Sequence, residues 1–191
     1  MDNRTLIIII VVVAALVVVA GIVIARGRKS KHLKEHFGPE YERAVKTHGD
    51  PGHAEAELLE REKRVEKFSL RPLNPVDRER YASEWAAVQK QFVDDPSTAV
   101  TQADKLVTSV MTARGYPMGD FEQRAADISV NYPNVVQNYR SARELTQRHA
   151  QGQSTTEDLR QAMVYFRSLF NELLETPKPQ RVGDNRERLA S

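Results

Sequence analysis

The chain has 191 residues, with 28 basic and 26 acidic side chains and a formal net charge of +2. It has no cysteine, which excludes disulfide frameworks, cysteine-ligated zinc or iron–sulfur sites and a cysteine nucleophile. The near balance of charges gives no reason to expect nucleic acid as a partner.

The most distinctive segment is the apolar run at residues 6–25, which has no charged or polar side chain. As a helix it would be about 30 Å long, the thickness of the hydrocarbon core of a bilayer. The sequence therefore predicts a transmembrane helix at 6–25, preceded by a short external tail at 1–5. A cleaved signal peptide is the alternative, although its apolar core would be shorter and followed by small residues rather than by Arg26 and Arg28.

Basic residues follow the predicted transmembrane helix at once. They are Arg26, Arg28, Lys29, Lys31 and Lys34. By the positive-inside rule they place the C-terminal part of a single-pass protein on the cytoplasmic side of the inner membrane. We expect this basic cluster to lie against the headgroups of the lipid bilayer. A periplasmic or secreted location is the alternative.

Two small residues in the predicted transmembrane helix, Gly21 and Ala25, are four positions apart. That spacing allows two such helices to approach closely, so the sequence is compatible with a homo-oligomer.

Residues 26–73 are predicted to form a charged helical stalk beside the membrane. Gly38 and Pro39 should end one short helix and start another. A further helix at 53–68 has acid–base pairs one turn apart but only a thin apolar stripe. We expect it to be a solvated, partly docked helix, and a two-heptad coiled coil is the alternative.

Residues 74–175 have the pattern of a helical bundle. Large side chains recur at helical spacing, as at Tyr81, Trp85 and Phe166, and are expected in the core. Capping residues or prolines mark the helix starts, at Asn74-Pro75, Asp95-Pro96, Asp120, Tyr132-Pro133 and Ser154 or Thr155. The predicted fold is all-α, an antiparallel bundle of about five helices, and residues 176–191 are expected to be a disordered tail.

One turn of the bundle is the candidate interaction surface, formed by Arg114, Tyr116, Pro117 and Asp120. Gly115 and Pro117 should stop a helix there, which would present Arg114 and Tyr116 to a protein partner. The alternative interpretation is a helix stop with Tyr116 packed over the end of the bundle.

Two histidine patterns resemble sites of chemistry. His32 and His36 lie in an H-x-x-E-H pattern that could bind zinc, but no third ligand is identifiable in the sequence. Arg143 and His149 match the R-x(4–6)-H pattern of HEPN-type ribonucleases, which are also helical bundles. Two other arginine–histidine pairs in the chain match equally well, so this pattern carries little information.

The remaining sequence offers no catalytic machinery. Asp94 and Asp95 precede a proline and are best explained as helix caps. Motifs for phosphate cradles, dinucleotide sites and the common hydrolases do not occur. We therefore predict no catalytic residue, no cofactor and no metal, and expect a protein that is not an enzyme.

Four short stretches form a recognisable set: Y-x3-W-x3-Q-x2-F-V-D-D-P at 81–96, A-D-x-L-V at 103–107, M-x2-R-G-Y-P at 111–117 and T-E-D-L-R-Q at 156–161. Together they resemble a family of small bacterial, single-pass, membrane-anchored helical proteins with no assigned activity. The likeness covers about residues 33–174. It implies a bacterial membrane-associated helical protein and brings no activity, cofactor or catalytic residue.

The function expected from the sequence is a non-enzymatic, membrane-anchored helical module for protein interaction or scaffolding, with an unidentified protein partner. One alternative is a membrane-tethered enzyme or nucleic-acid-processing domain that uses Arg143 and His149. Another is an exported envelope protein with the same bundle.

Overall fold

The computed structural model describes the backbone of residues 3–175 and the side chains of residues 12–14, 16–21 and 23–175. This part of the chain is all-α, as predicted, with no strand. Its eight helices are α1 Asn3–Phe37, α2 Pro39–His48, α3 Pro51–Val65, α4 Pro75–Asp94, α5 Pro96–Ala113, α6 Phe121–Asn131, α7 Val136–Ala150 and α8 Thr156–Leu174. The predicted tail at 176–191 and the first two residues of the predicted external tail lie outside the described residues.

The backbone of α1 runs through the predicted transmembrane segment and the basic cluster as one uninterrupted helix. It ends at Phe37, and α2 begins at Pro39, so the predicted break at Gly38-Pro39 is confirmed. Among the side chains that the structure describes, no helix offers a stretch that is long and apolar enough to span a bilayer. The side chains at 6–11, 15 and 22 of the predicted transmembrane helix lie outside that set.

The chain divides into two compact units, residues 1–63 and 64–191. The boundary lies inside α3, before the end of the predicted stalk at residue 73.

The first unit has a packed interior to which α1, α2 and α3 each contribute buried side chains. Leu33 and Phe37 of α1 and Leu58 of α3 are fully buried. The carboxylate of Glu40 in α2 accepts a 2.8 Å hydrogen bond from the Arg61 guanidinium in α3, and both residues are at least 95% buried. Ala54 and Leu58 of the predicted apolar stripe of α3 are fully buried, and a charged residue, Arg61, occupies part of the same face.

The second unit has its core between α4, α5, α7 and α8, with α6 against α7. The central helix is α5, which packs against α4, α7 and α8. Trp85 of α4 stacks on Phe170 of α8 with ring centroids 4.5 Å apart, and Tyr139 and Phe166 are fully buried. The predicted five-helix bundle is confirmed in this unit.

Side-chain caps begin four of the bundle helices where the sequence indicated them. Asn74, Asp95 and Asp120 each accept a hydrogen bond from the backbone N–H three residues later. At α8, Thr155 and Asp158 form the reciprocal capping box, which decides between the two overlapping possibilities. The exception is α7, which begins at Val136 without a side-chain cap, later than the predicted start.

Candidate functional site

The predicted interaction surface is largely internal. Arg114 is 2% exposed and Tyr116 is 3% exposed, so neither side chain is available to a partner in this structure. The Arg114 guanidinium donates to the carbonyl of Leu173 at the end of α8, and the hydroxyl of Tyr116 accepts from Asn131. Burial raises the pKa of Tyr116 well above its usual value. This is the helix stop that the sequence left open as the alternative.

The α3–α4 connection, residues 66–74, explains why this turn is covered. The backbone N–H of Arg71 donates to the carbonyl of Arg114, and its Nε donates to the carbonyl of Ala113. Gly115 has a φ of +93°, and a Cβ there would lie 2.6 Å from the carbonyl oxygen of Ser69. The α3–α4 connection therefore packs directly against this turn.

The other two residues of the predicted surface, Pro117 and Asp120, are exposed. Asp120 is the N-cap of α6, with its carboxylate accepting from the N–H of Gln123 at 2.8 Å. Asp120 therefore has a structural role at the start of a helix.

The basic cluster lies along the second half of α1 with every member exposed. Lys31 is 3.8 Å from Glu35, and the ammonium of Lys34 lies 5.4 Å from the centre of the Tyr41 ring. Arg26, Arg28 and Lys29 precede these two and stand closest along the helix to the apolar segment.

The two histidines of the H-x-x-E-H pattern share an acidic neighbour that the sequence did not identify. The Nε2 atoms of His32 and His36 lie 3.6 Å and 3.8 Å from Oε1 of Glu62 in α3, and the two rings stack. Both separations are longer than a hydrogen bond. Within the described residues, no group of three or more histidine, cysteine, aspartate or glutamate side chains is arranged to hold a metal ion.

Arg143 and His149 contact different partners. Both ring nitrogens of His149 are within hydrogen-bonding distance of serine hydroxyls, Nε2 of Ser97 at 2.8 Å and Nδ1 of Ser154 at 2.9 Å. These contacts join the last turn of α7 to the starts of α5 and α8. Arg143 faces Asp104 instead. The arrangement gives no support to the ribonuclease-like pattern.

A second set of charged residues meets where α5, α6 and α7 come together. We call Asp104, Arg124, Tyr139 and Arg143 the polar cluster. Nη1 of Arg143 lies 3.5 Å from Oδ2 of Asp104, and its guanidinium lies 5.6 Å from the centre of the Phe121 ring. The packing of α7 against both α5 and α6 brings these side chains together.

Burial dominates the electrostatics of the polar cluster. It raises the pKa of the Asp104 carboxyl, although the guanidinium groups of Arg143 and Arg124 oppose the change. Burial also raises the pKa of Tyr139, and the nearby Asp104 charge adds to that effect while Arg124 opposes it. Two guanidinium groups and one carboxyl group give the site an excess of positive charge.

The polar cluster also concentrates unpaired hydrogen-bonding atoms. Several buried side-chain nitrogen or oxygen atoms in the described part of the chain have no hydrogen-bond partner. Four of them lie in this cluster: Oδ1 of Asp104, Nε of Arg124, the hydroxyl of Tyr139 and Nε of Arg143. Because buried polar atoms are nearly always paired in native proteins, such a concentration requires an explanation.

The sequence gives no sign that these four residues lie together. It singled out Arg143 for a different pattern, and it placed Asp104 only within a resemblance motif. Residues 104 and 143 lie on separate helices, so no local spacing relates them.

Comparisons of the chain with known protein families, with curated proteins and with solved structures find no match. The resemblance carried by the four short stretches between residues 81 and 161 therefore stays a prediction. Function has to be argued from the residues of this chain.

Proposed function

We propose that the chain is a bacterial membrane-anchored helical protein whose folded part is a protein-interaction or scaffold module on the cytoplasmic side. The observation that supports the anchor is the exposure of α1. Eight of its described aliphatic side chains are 52–66% exposed: Val12, Val13, Leu16, Val17, Val18, Val19, Val23 and Ile24.

These side chains leave the apolar segment of α1, before Arg26, without a polar face. At about 100° per residue, their positions are distributed around the whole circumference of the helix. A helix that is apolar on all sides is typical of a protein core or a membrane span. Transfer of eight half-exposed side chains out of water would contribute on the order of 10 kcal/mol, at roughly 1–2 kcal/mol each. A lipid bilayer is the occupant that this symmetric surface fits best.

The charges beside the apolar segment support the proposed orientation. Arg26, Arg28 and Lys29 are exposed and follow the segment directly along the same helix. Basic residues in this position favour retention on the cytoplasmic side. Because α1 continues without a break to the buried Leu33 and Phe37, the anchor leads directly into a folded unit.

The partners of the residues that resemble catalytic groups support a non-enzymatic role. The Asp95 carboxylate accepts from the N–H of Thr98 and caps α5. His149 is engaged by two serine hydroxyls, and the His32–His36 pair faces Glu62. Each of these groups has an explanation in helix capping or packing, which leaves interaction with another protein as the proposed role.

The anchor is tested by fractionation of bacterial cells that express the full chain. The Val17→Asp, Val18→Asp double variant adds two charges to the apolar segment, at about 2.5–3.5 kcal/mol each for insertion. Val93→Asp in α4 is the matched control, because Val93 is 82% exposed outside that segment. We expect the wild type and the control to resist alkaline extraction from membranes and the double variant to be released. Equal release of all three would contradict the anchor.

The interaction role is tested by proximity labelling with the full chain and with residues 1–37 alone, each fused to the same labelling enzyme. The short fusion controls for proteins that are merely nearby in the membrane. A protein labelled reproducibly by the full chain and not by the short fusion supports the module. Identical labelling patterns would contradict it.

A further inference from the structure

We propose that Ser97 is a covalent modification site, at which a hydroxyl group activated by His149 accepts an acyl group from a thioester or another activated ester. The unpaired atoms of the polar cluster are sealed from solvent, whereas Ser97 is an exposed residue at the start of α5. The proposal concerns the second unit alone and is independent of the membrane anchor. A single modification of the chain is compatible with a non-enzymatic role.

Ser97, His149 and Ser154 form a continuous chain of hydrogen bonds. Nε2 of His149 lies 2.8 Å from the Ser97 hydroxyl, and Nδ1 lies 2.9 Å from the Ser154 hydroxyl. A neutral imidazole has one nitrogen that donates a hydrogen bond and one that accepts. In the tautomer with the proton on Nδ1, the ring donates to Ser154, and Nε2 accepts from the Ser97 hydroxyl. A nucleophile, a base and a group that orients the base are the structural signature of an activated hydroxyl.

Three helix ends hold these side chains in place. Ser97 is in the first turn of α5, His149 is in the last turn of α7, and Ser154 directly precedes the N-cap of α8. Buried side chains that follow, Val100 in α5 and Leu159 in α8, anchor two of these ends in the core. His149 is also the only histidine between residues 64 and 191. The base is therefore positioned by packed helices, which reduces the cost of orienting it for reaction.

The reaction joins Oγ of Ser97 to the acyl carbon of the donor. As this C–O bond forms, the bond to the leaving thiolate or aryloxide breaks, and Nε2 of His149 takes up the hydroxyl proton. The imidazolium then returns that proton to the leaving group. The products are a serine ester and a free thiol or phenol, with no oxidation or reduction. Because Ser97 is exposed, the acyl group can extend into solvent and requires no cavity.

The first turn of α5 gives a reason why the ester should persist rather than turn over. Rapid hydrolysis would need hydrogen-bond donors for the developing oxyanion, each worth roughly 10²–10³ in rate. The backbone N–H groups beside the hydroxyl are already engaged by the helix cap. The N–H of Thr98 donates to the Asp95 carboxylate at 3.1 Å, and the N–H of Ser97 faces the same carboxylate. Only an activated donor therefore reacts, and the unactivated serine ester remains.

The experiment treats the full chain in detergent micelles at pH 7 with p-nitrophenyl acetate and follows each serine by peptide mass spectrometry. Ser83 is the internal control, because it is an exposed serine on α4, a helix without histidine. General-base catalysis contributes about 10²–10⁴ in rate, so Ser97 should be acetylated at least about 100-fold faster than Ser83. The acetyl group should accumulate at Ser97 and be removed by hydroxylamine, as expected for an ester. This comparison within one molecule does not depend on any variant.

Three variants separate the roles of the base and of the residue that positions it. His149→Gln removes the base, so the acetylation rate of Ser97 should fall to within about threefold of that of Ser83. Ser154→Ala removes one hydrogen bond to the ring and should lower the rate about fivefold. Ser154→Thr keeps the hydroxyl and should restore most of that loss, which identifies Ser154 as a positioning residue.

The pH dependence of acetylation distinguishes base catalysis from ordinary serine reactivity. Histidine side chains change charge between about pH 5 and 8, so the rate at Ser97 should rise in this range and reach a plateau. Unassisted attack would instead keep rising in proportion to hydroxide concentration. That result, equal rates at Ser97 and Ser83, an unchanged rate in His149→Gln, or repeated release of p-nitrophenol without a Ser97 ester would each overturn the proposal. The serine contacts of His149 would then be structural links between helix ends.

Discussion

Replacement of Gly115 by alanine tests whether close packing of the α3–α4 connection against the turn after α5 stabilises the second unit. An L-residue in the left-handed region costs about 1–2 kcal/mol. The new Cβ would also lie 2.6 Å from the carbonyl oxygen of Ser69, so the connection must move away. Movement weakens the two hydrogen bonds from Arg71, at 3.0 Å and 3.1 Å. Each is worth about 0.5–1.5 kcal/mol, which gives a total loss of about 2–5 kcal/mol.

Gly152→Ala is the matched control. Gly152 also has a positive φ, +71°, but a Cβ there would meet nothing within 4 Å. It should therefore show the conformational cost alone, and the gain from reduced unfolded-state entropy is common to both variants. The difference between the two free energies of unfolding should be about 1–3 kcal/mol, the weakening of Arg71's two hydrogen bonds.

The assay is urea unfolding of the full chain in detergent micelles, followed by the emission of Trp85. Trp85 is the single tryptophan of the chain, and its stacking on Phe170 makes it a probe of the second unit. At an m-value of 1–3 kcal/mol/M, the midpoint of Gly115→Ala should lie about 1 M below that of the control. Equal midpoints would refute the role given to the connection.

Three further substitutions test other parts of the structure. Phe170→Ala removes a fully buried ring and should lower the stability of the second unit by about 3–5 kcal/mol, measured by thermal melting followed by circular dichroism. Arg61→Met removes the 2.8 Å guanidinium partner of the buried Glu40 and leaves Arg43 at 3.7 Å from the same carboxylate, so it should destabilise the first unit by about 1.5–3 kcal/mol, measured by hydrogen exchange in α2 and α3. Hydrogen bonds from the backbone and hydroxyl of Thr155 lower the pKa of Asp158 below its ordinary 3.8. The stabilisation from this cap should therefore be complete above pH 3.8 and disappear as the pH falls through the lower folded value, monitored by the amide signals of the first turn of α8.

Each of these predictions has its own control. Val164→Ala, on the half-exposed face of α8, should change stability by less than about 0.5 kcal/mol, and a loss equal to that of Phe170→Ala would be inconsistent with the core. Addition of Glu40→Gln to Arg61→Met should recover most of the lost protection, because no buried charge remains. If Thr155→Val leaves the acid transition of α8 unchanged, the capping box is not its cause.

The bundle helices could be predicted because their signals are local. Asn74, Asp95, Asp120 and Thr155 each cap a helix through the residue three positions later, a relationship visible within four letters of sequence. The stripes of large apolar side chains likewise repeat within single helices. Such signals do not depend on which helix packs against which.

The polar interior could not be predicted from the same signals. Glu40 and Arg61 are 21 residues apart, and Asp104 and Arg143 are 39 apart, so only the packing of helices brings each pair together. At the turn of Arg114, the sequence left both an exposed and a covered turn open for another reason. Glycine and proline stop a helix in the same way whether the turn is exposed or covered, and the covering segment was a connection without periodicity.

The location of the C-terminal domain is the most direct test of the central proposal. A reporter active only in the cytoplasm and another active only outside it are fused in turn after Ser191, and membrane retention of each fusion is measured. We predict activity of the cytoplasmic reporter alone, in a fraction that stays with the membrane. Activity of the external reporter, or release of the fusion from the membrane, would contradict the proposed cytoplasmic anchored module.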